Sequence, residues 1–252
     1  MKIKLLAGAC AAAVCTLWFG QAAADPTATL GGGYSYTDVN GSSGHLNDWG
    51  VNGSVAAPVL SNWTVQADGS YDDLTGEGSG SAHTAQISGT AFWSGAKGRI
   101  GATAGYNELG SGHSTAHLEN YGGFGVLYPT NSLTLGFKGG ALVGDGLHTG
   151  YVGAEIVGYI TPDAAISGTI DNTTIGNTRL TAYGVHAEYL ASHTLPISVS
   201  GGFTRTELGP VELNTYTIGL KYYFGGKGSL VEHQRSGDET WGAKQSATSF
   251  LF

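Results

Sequence analysis

The sequence predicts an all-β chain, a single transmembrane antiparallel up-and-down β-barrel of about 12 strands. Three observations carry this reading. From residue 27 onward, apolar and polar residues alternate in segments of about a dozen positions. Every second connection between these segments is tight, and aromatic residues recur beside the tight connections.

The start of the chain reads separately. Lys2 and Lys4 precede an apolar run from Leu5 to Gly20, followed by Gln21-Ala22-Ala23-Ala24-Asp25. A basic start, a short apolar stretch and an A-x-A ending are the parts of a secretory signal peptide, here residues 1–24. The run is shorter than the roughly 20 residues a helix needs to span a bilayer. Cys10 and Cys15 lie within it, and Ala7 and Ala12 stand where a lipoprotein signal needs a larger aliphatic residue. The mature chain therefore has no cysteine, which excludes a disulfide framework, a thiolate zinc site and a cysteine nucleophile. Stability must come from hydrogen bonding and burial, and a closed barrel supplies both by pairing every strand edge.

Composition agrees. The 43 glycines argue against helices, since Gly costs about 1 kcal/mol relative to Ala in a helix interior. No later stretch approaches the roughly 18 consecutive apolar residues of a membrane helix, so a membrane crossing must use strands. Without Lys2 and Lys4, nine basic residues face 19 acidic ones, a net charge of −10. Nucleic acid, whose phosphates need Lys and Arg, is excluded as a partner.

Strands are expected near 27–37, 46–57, 62–72, 82–93, 97–107, 115–128, 132–143, 148–160, 163–172, 179–190, 195–206 and 212–224. The last places Tyr216, Ile218, Leu220, Tyr222 and Phe224 on one face and Thr215, Thr217, Gly219 and Lys221 on the other. The seventh sets Leu133, Leu135, Phe137, Ala141 and Val143 against Thr134, Gly136, Lys138 and Gly140. Tight turns fall at 58–61, 94–96, 129–131, 161–162 and 191–194. The other connections, such as 38–44 and 75–81, are richer in Gly, Asn, Asp and Ser and are expected to be longer loops. Short turns at one rim and long loops at the other is the construction of a membrane barrel. Beside the tight turns stand Trp63, Phe92, Trp93, Tyr128, Tyr159, Tyr189, Tyr222 and Phe224. Of these, Trp63, Trp93, Tyr128, Tyr159, Tyr222 and Phe224 are expected to form the interfacial girdle, where amphipathic rings suit the headgroup zone.

Thr217-x-Gly219-x-x-Tyr222-x-Phe224 resembles the polar-x-Gly-x-x-aromatic-x-aromatic terminal strand of bacterial outer-membrane barrels, which the barrel assembly machinery reads. With the leader and the Gly/Tyr-rich hairpins, residues 25–224 are similar to small Gram-negative outer-membrane β-barrel, porin-like proteins. The resemblance implies a cell outer-membrane destination with both barrel ends periplasmic, and outer-membrane lipid and the assembly machinery as partners. One departure is that 28 residues follow, ending Phe250-Leu251-Phe252, an aromatic end that could itself be the assembly signal. Residues 225–252 read as a C-terminal periplasmic tail.

With apolar faces toward lipid, strand parity points Asp48, Gln66, Asp68, Gln86, Arg99, Glu119, Lys138, Glu155, Asp171, His186, Glu188 and Lys221 inward. The expected pore-lining set is Asp68, Arg99, Glu119, Lys138, Glu155, His186, Glu188 and Lys221. These charges either line a pore or form ion pairs that solidify the lumen. The first alternative is a passive diffusion channel for small hydrophilic solutes; the second is a closed structural or adhesive surface barrel without transport. An outer-membrane hydrolase is a third. Its one candidate stretch is His113-Ser114-Thr115-Ala116-His117 with Glu119, where a hydroxyl would need a base in hydrogen-bond reach. His113 and His117 lack an evident third metal ligand. The expectation is a non-enzyme with no catalytic residue, no metal and no cofactor.

Overall fold

A computed structural model describes residues 26–41, 44–76, 79–112, 114–144, 146–176, 178–224 and 228–236. Residues 1–24, Cys10 and Cys15 included, lie outside the described residues, as do His113 and the ending Phe250–Phe252.

Twelve strands run Thr27–Val39 (β1), His45–Leu60 (β2), Trp63–Gly76 (β3), Ser79–Gly95 (β4), Gly98–Ser111 (β5), Ser114–Thr130 (β6), Leu133–Gly144 (β7), Leu147–Thr161 (β8), Ala164–Ile175 (β9), Thr178–Ser192 (β10), Ile197–Leu208 (β11) and Val211–Phe224 (β12). Each pairs with its chain neighbours, and β1 closes the barrel against β12 in a register running from Ala28↔Phe224 to Val39↔Leu213. Every expected strand is present. Closure leaves no unpaired edge, which spares the backbone the cost of an unsatisfied donor in hydrocarbon.

Most of the expected long loops are taken up by strand: β3 runs to Gly76 and β4 begins at Ser79, while the connection from Val39 to His45 stays the longest between strands. β5 ends at Ser111 and β6 begins at Ser114; β9 ends at Ile175 and β10 begins at Thr178. The Gly- and Ser-rich segments pair as strand, because antiparallel pairing satisfies their backbone groups and small side chains do not obstruct it. At two of these connections Gly112 and Gly176 stand at φ 60°, a conformation that costs glycine little.

Alternation gives the wall two chemistries. Outward stand Leu30, Val51, Ile87, Ile100, Phe137, Val152, Ile156, Ile170, Val185 and Ile218, all largely exposed on the isolated chain. A contiguous apolar band of this kind marks a surface built for a nonaqueous neighbour. Among the described residues no helix is long and apolar enough to cross a membrane. Inward, small polar side chains bond across the strands, as in Thr29–Ser54 at 2.7 Å, Thr37–Thr215 at 2.8 Å and Thr90–Thr103 at 3.1 Å.

Glycine also makes room for a buried ring. Gly122 and Gly140 are cross-strand partners, and the Tyr151 phenol lies over both. A side chain at Gly140 would run into the Tyr121 carbonyl as well as the Tyr151 ring. Gly140→Val is therefore expected to lower the folded fraction, read as loss of heat-modifiable gel mobility.

Residues Leu230–Ser236 form a short helix, α1. Ser229 and Glu232 make a reciprocal cap: the Ser229 amide donates to Glu232 Oε2 at 2.8 Å, and the Glu232 amide to Ser229 Oγ at 3.4 Å. α1 packs inside the tight-turn end of the barrel, where Leu230 is fully buried against Val157, Tyr159, Ala165, Leu190 and Tyr223. Of the expected periplasmic tail, the described part is thus a structured stopper in the barrel mouth.

Candidate functional site

The lumen is the candidate site. A cavity of about 480 Å³ is lined by strands β1–β4 and β7–β12 and by Gln234 of α1. Most lining residues are Gly, Ser, Thr or Ala, and this is what leaves the space open. Its charged residues are Asp48, Asp72, Glu155, Asp171 and Glu188 against Lys138 and Lys221, a net −3 with His186 neutral.

The charges are unevenly matched. Lys138 Nζ lies 2.5 Å from Asp171 Oδ1, and Lys221 Nζ lies 3.6 Å from Glu188 Oε1. His186 Nε2 is 3.5 Å from Thr204 Oγ1. Both lysines are thus on strands β7–β12, each beside a carboxylate. On the other wall Asp48 (β2) and Asp72 (β3) flank Gly50, with Thr84 donating to Asp72 at 3.1 Å. Below them Asp68 is sealed into the wall by Gln66 at 2.7 Å and Ser88 at 3.4 Å.

The tight-turn mouth is crossed by α1 through contacts from β5 to β12. Arg99 donates to the Gln234 carbonyl at 3.1 Å, and Tyr159 Oη donates to Gln234 Oε1 at 2.7 Å. Gln234 Nε2 donates to Glu188 at 3.1 Å; Glu188 also accepts from Ser198 at 2.5 Å and Tyr223 at 2.7 Å. His233 stacks on Tyr223 with centroids 4.4 Å apart. Toward the opposite rim an apolar cluster of Leu118, Leu142, Tyr151 and Leu180, with Leu109 and Leu208, occupies the interior along β5–β11.

Seven of the eight expected pore-lining residues face inward: Asp68, Arg99, Lys138, Glu155, His186, Glu188 and Lys221. Glu119 does not. Leu118 and Asn120 take the inner face of β6, so Glu119 is outside, exposed, and accepts from Tyr121 Oη at 2.6 Å. Near the rim the outer wall itself is polar, so polarity there no longer reports the inner face.

The girdle needs a similar correction. Trp63, Trp93, Tyr222 and Phe224 are on the outer face at the tight-turn rim, with Tyr222 and Phe224 edge to face at 4.5 Å. Tyr128 and Tyr159 point into the mouth, as does Phe92. They share parity with the buried Val126 and Val157, and the Arg235 guanidinium lies over both tyrosine rings. A second outer-face belt, unanticipated from sequence, lines the other rim along β1–β6: Tyr36 stacks on His45, Tyr71 on His83 and Tyr106 on His117. Outward parity at the strand ends away from the tight turns was the signal.

Among the described residues of the hydrolase stretch, Ser114 and His117 are not brought together. Alternation puts Ser114 and His117 on opposite faces of β6, and His117 Nδ1 is engaged by Tyr106 Oη at 2.5 Å. Among the described residues no group of three His, Cys, Asp or Glu side chains could hold a metal ion. The missed element is α1, which the Ser229-Leu230-Val231-Glu232 capping pattern could have shown.

No protein-family model and no curated protein matches this chain. Solved structures do. The COG4313 outer membrane channel from Pseudomonas putida F1 aligns with a TM-score of 0.64 at 11% identity, over 80% of this chain and 97% of that one. The KdgM porin gives 0.55 at 9%, over 77% and 99%. The translocator domain of autotransporter NalP from Neisseria meningitidis gives 0.51 at 14%, over 87% and 95%. At such identities the likeness is one of fold, the closed antiparallel β-barrel.

Proposed function

We propose that the protein is an outer-membrane channel through which small hydrophilic solutes diffuse passively, with a preference for cations, and that α1 narrows its periplasmic mouth. The observation that carries this is the cavity: a small-residue space inside the barrel with a formal net charge of −3. Carboxylates inside a low-dielectric wall raise the local concentration of positive solutes. Asp48 and Asp72 set the preference, since the two lysines lie beside carboxylates on other strands.

Planar-bilayer recordings across a salt gradient test it. The wild type should favour cations, and Asp48→Asn with Asp72→Asn should move the permeability ratio toward unity, while Glu119→Gln, outside the barrel, should not. Anion preference would overturn the reading.

A second reading, a closed structural barrel without transport, is favoured by α1 in one mouth and the leucine cluster toward the other.

A further inference from the structure

The pocket that receives Arg235 has the composition of a receptor for an organic cation. The guanidinium carbon lies 4.5 Å from the Tyr128 ring centroid and 5.5 Å from that of Tyr159. Its Nη2 donates to the Thr130 carbonyl at 3.0 Å, the Leu133 carbonyl at 3.1 Å and Thr134 Oγ1 at 3.3 Å. Aromatic faces attract a cation through their quadrupole, and the surrounding acceptors take its N–H groups. All of these partners belong to the barrel wall or its turns; only the guanidinium comes from the tail.

The fit is incomplete. Arg235 Nε is buried with no hydrogen-bond partner among the described residues. A guanidinium carries five N–H donors in a side chain, and tethering to a helix limits how many can be presented. A free guanidinium can rotate in the same pocket without that tether. Arg99, which reaches the Gln234 carbonyl at 3.1 Å, faces the same mouth, so a ligand with a second positive charge is disfavoured.

We propose that this pocket, formed by Tyr128, Tyr159, Thr134 and the 130–133 turn carbonyls, is a binding station for small monovalent guanidinium compounds, and that Arg235 is its built-in competitor. Calling the ligand a transported solute rests on the channel reading; the binding itself does not.

The test is a ligand-observed NMR titration of the full chain in detergent micelles with methylguanidinium, with folding checked by heat-modifiable gel mobility. Arg235→Ala should bind at least about tenfold tighter than the wild type, since the competitor is gone. Adding Tyr159→Leu to Arg235→Ala should weaken binding again by about tenfold, the scale of a desolvated cation–π contact. Should Arg235→Ala fail to fold, the chain lacking residues 225–252 serves in its place. Equal binding to wild type and the emptied pocket, or indifference to Tyr159→Leu, overturns the proposal. Binding in a barrel that never conducts supports the site and sinks the channel; conduction without binding does the reverse.

Discussion

Removing residues 225–252 is expected to raise the single-channel conductance several-fold. Twelve strands spaced roughly 4.8 Å apart and tilted by about 40° enclose a backbone cylinder about 24 Å across. Inward side chains take roughly 5 Å from each side, and a helix with its side chains is about 10 Å wide. One helix thus fills most of the mouth. α1 is held there by the buried Leu230, by the bonds of Gln234 to Arg99, Tyr159 and Glu188, and by Arg235. The barrel should survive the loss, because its closing pair is β1 with β12, complete at Phe224. Truncation also ends the chain on that aromatic residue, the position that resembles an assembly signal. Planar-bilayer recording gives the answer. A conductance that is open in the wild type and unchanged by truncation would show that α1 does not obstruct the path. No conductance in either form would favour the solid barrel.

Ile156→Arg is expected to destabilise the folded barrel by about 2–4 kcal/mol, the cost of arginine facing hydrocarbon at mid-membrane. Ile156 is half exposed on the outer face of β8, between the inward Glu155 and Val157. The control is Thr169→Arg. Thr169 is the cross-strand partner of Glu155 and lines the cavity, so its arginine meets water and a carboxylate. There the change should stay within about 1 kcal/mol, the range of an exposed ion pair. Denaturant unfolding in lipid vesicles, followed by tryptophan fluorescence, measures both. Equal losses at the two positions would contradict the assignment of lipid to one face and water to the other.

The contrast between these two residues also shows why strand assignment succeeded where rim assignment failed. In mid-strand only one arrangement avoids charge in hydrocarbon, so Lys138 and Glu155 report the inner face reliably. At the rims both faces tolerate a polar or amphipathic residue. Tyr128 and Tyr159 satisfy girdle composition yet turn inward to Arg235, and Glu119 satisfies lumen composition yet turns outward to Tyr121.

By itself the sequence determined the strand number, the pairing of each strand with its neighbour, and the parity of the membrane-level residues. All three follow from period-2 alternation between two solvents, a local property. Tertiary structure alone decided the length of the rim connections, the second aromatic belt and the seat of α1. These depend on which side chains meet across the lumen or around the rim. Apart from Tyr223, the partners of Leu230 and Arg235 stand on strands about 40 to 110 residues away in the chain, and no local pattern encodes a contact over that separation.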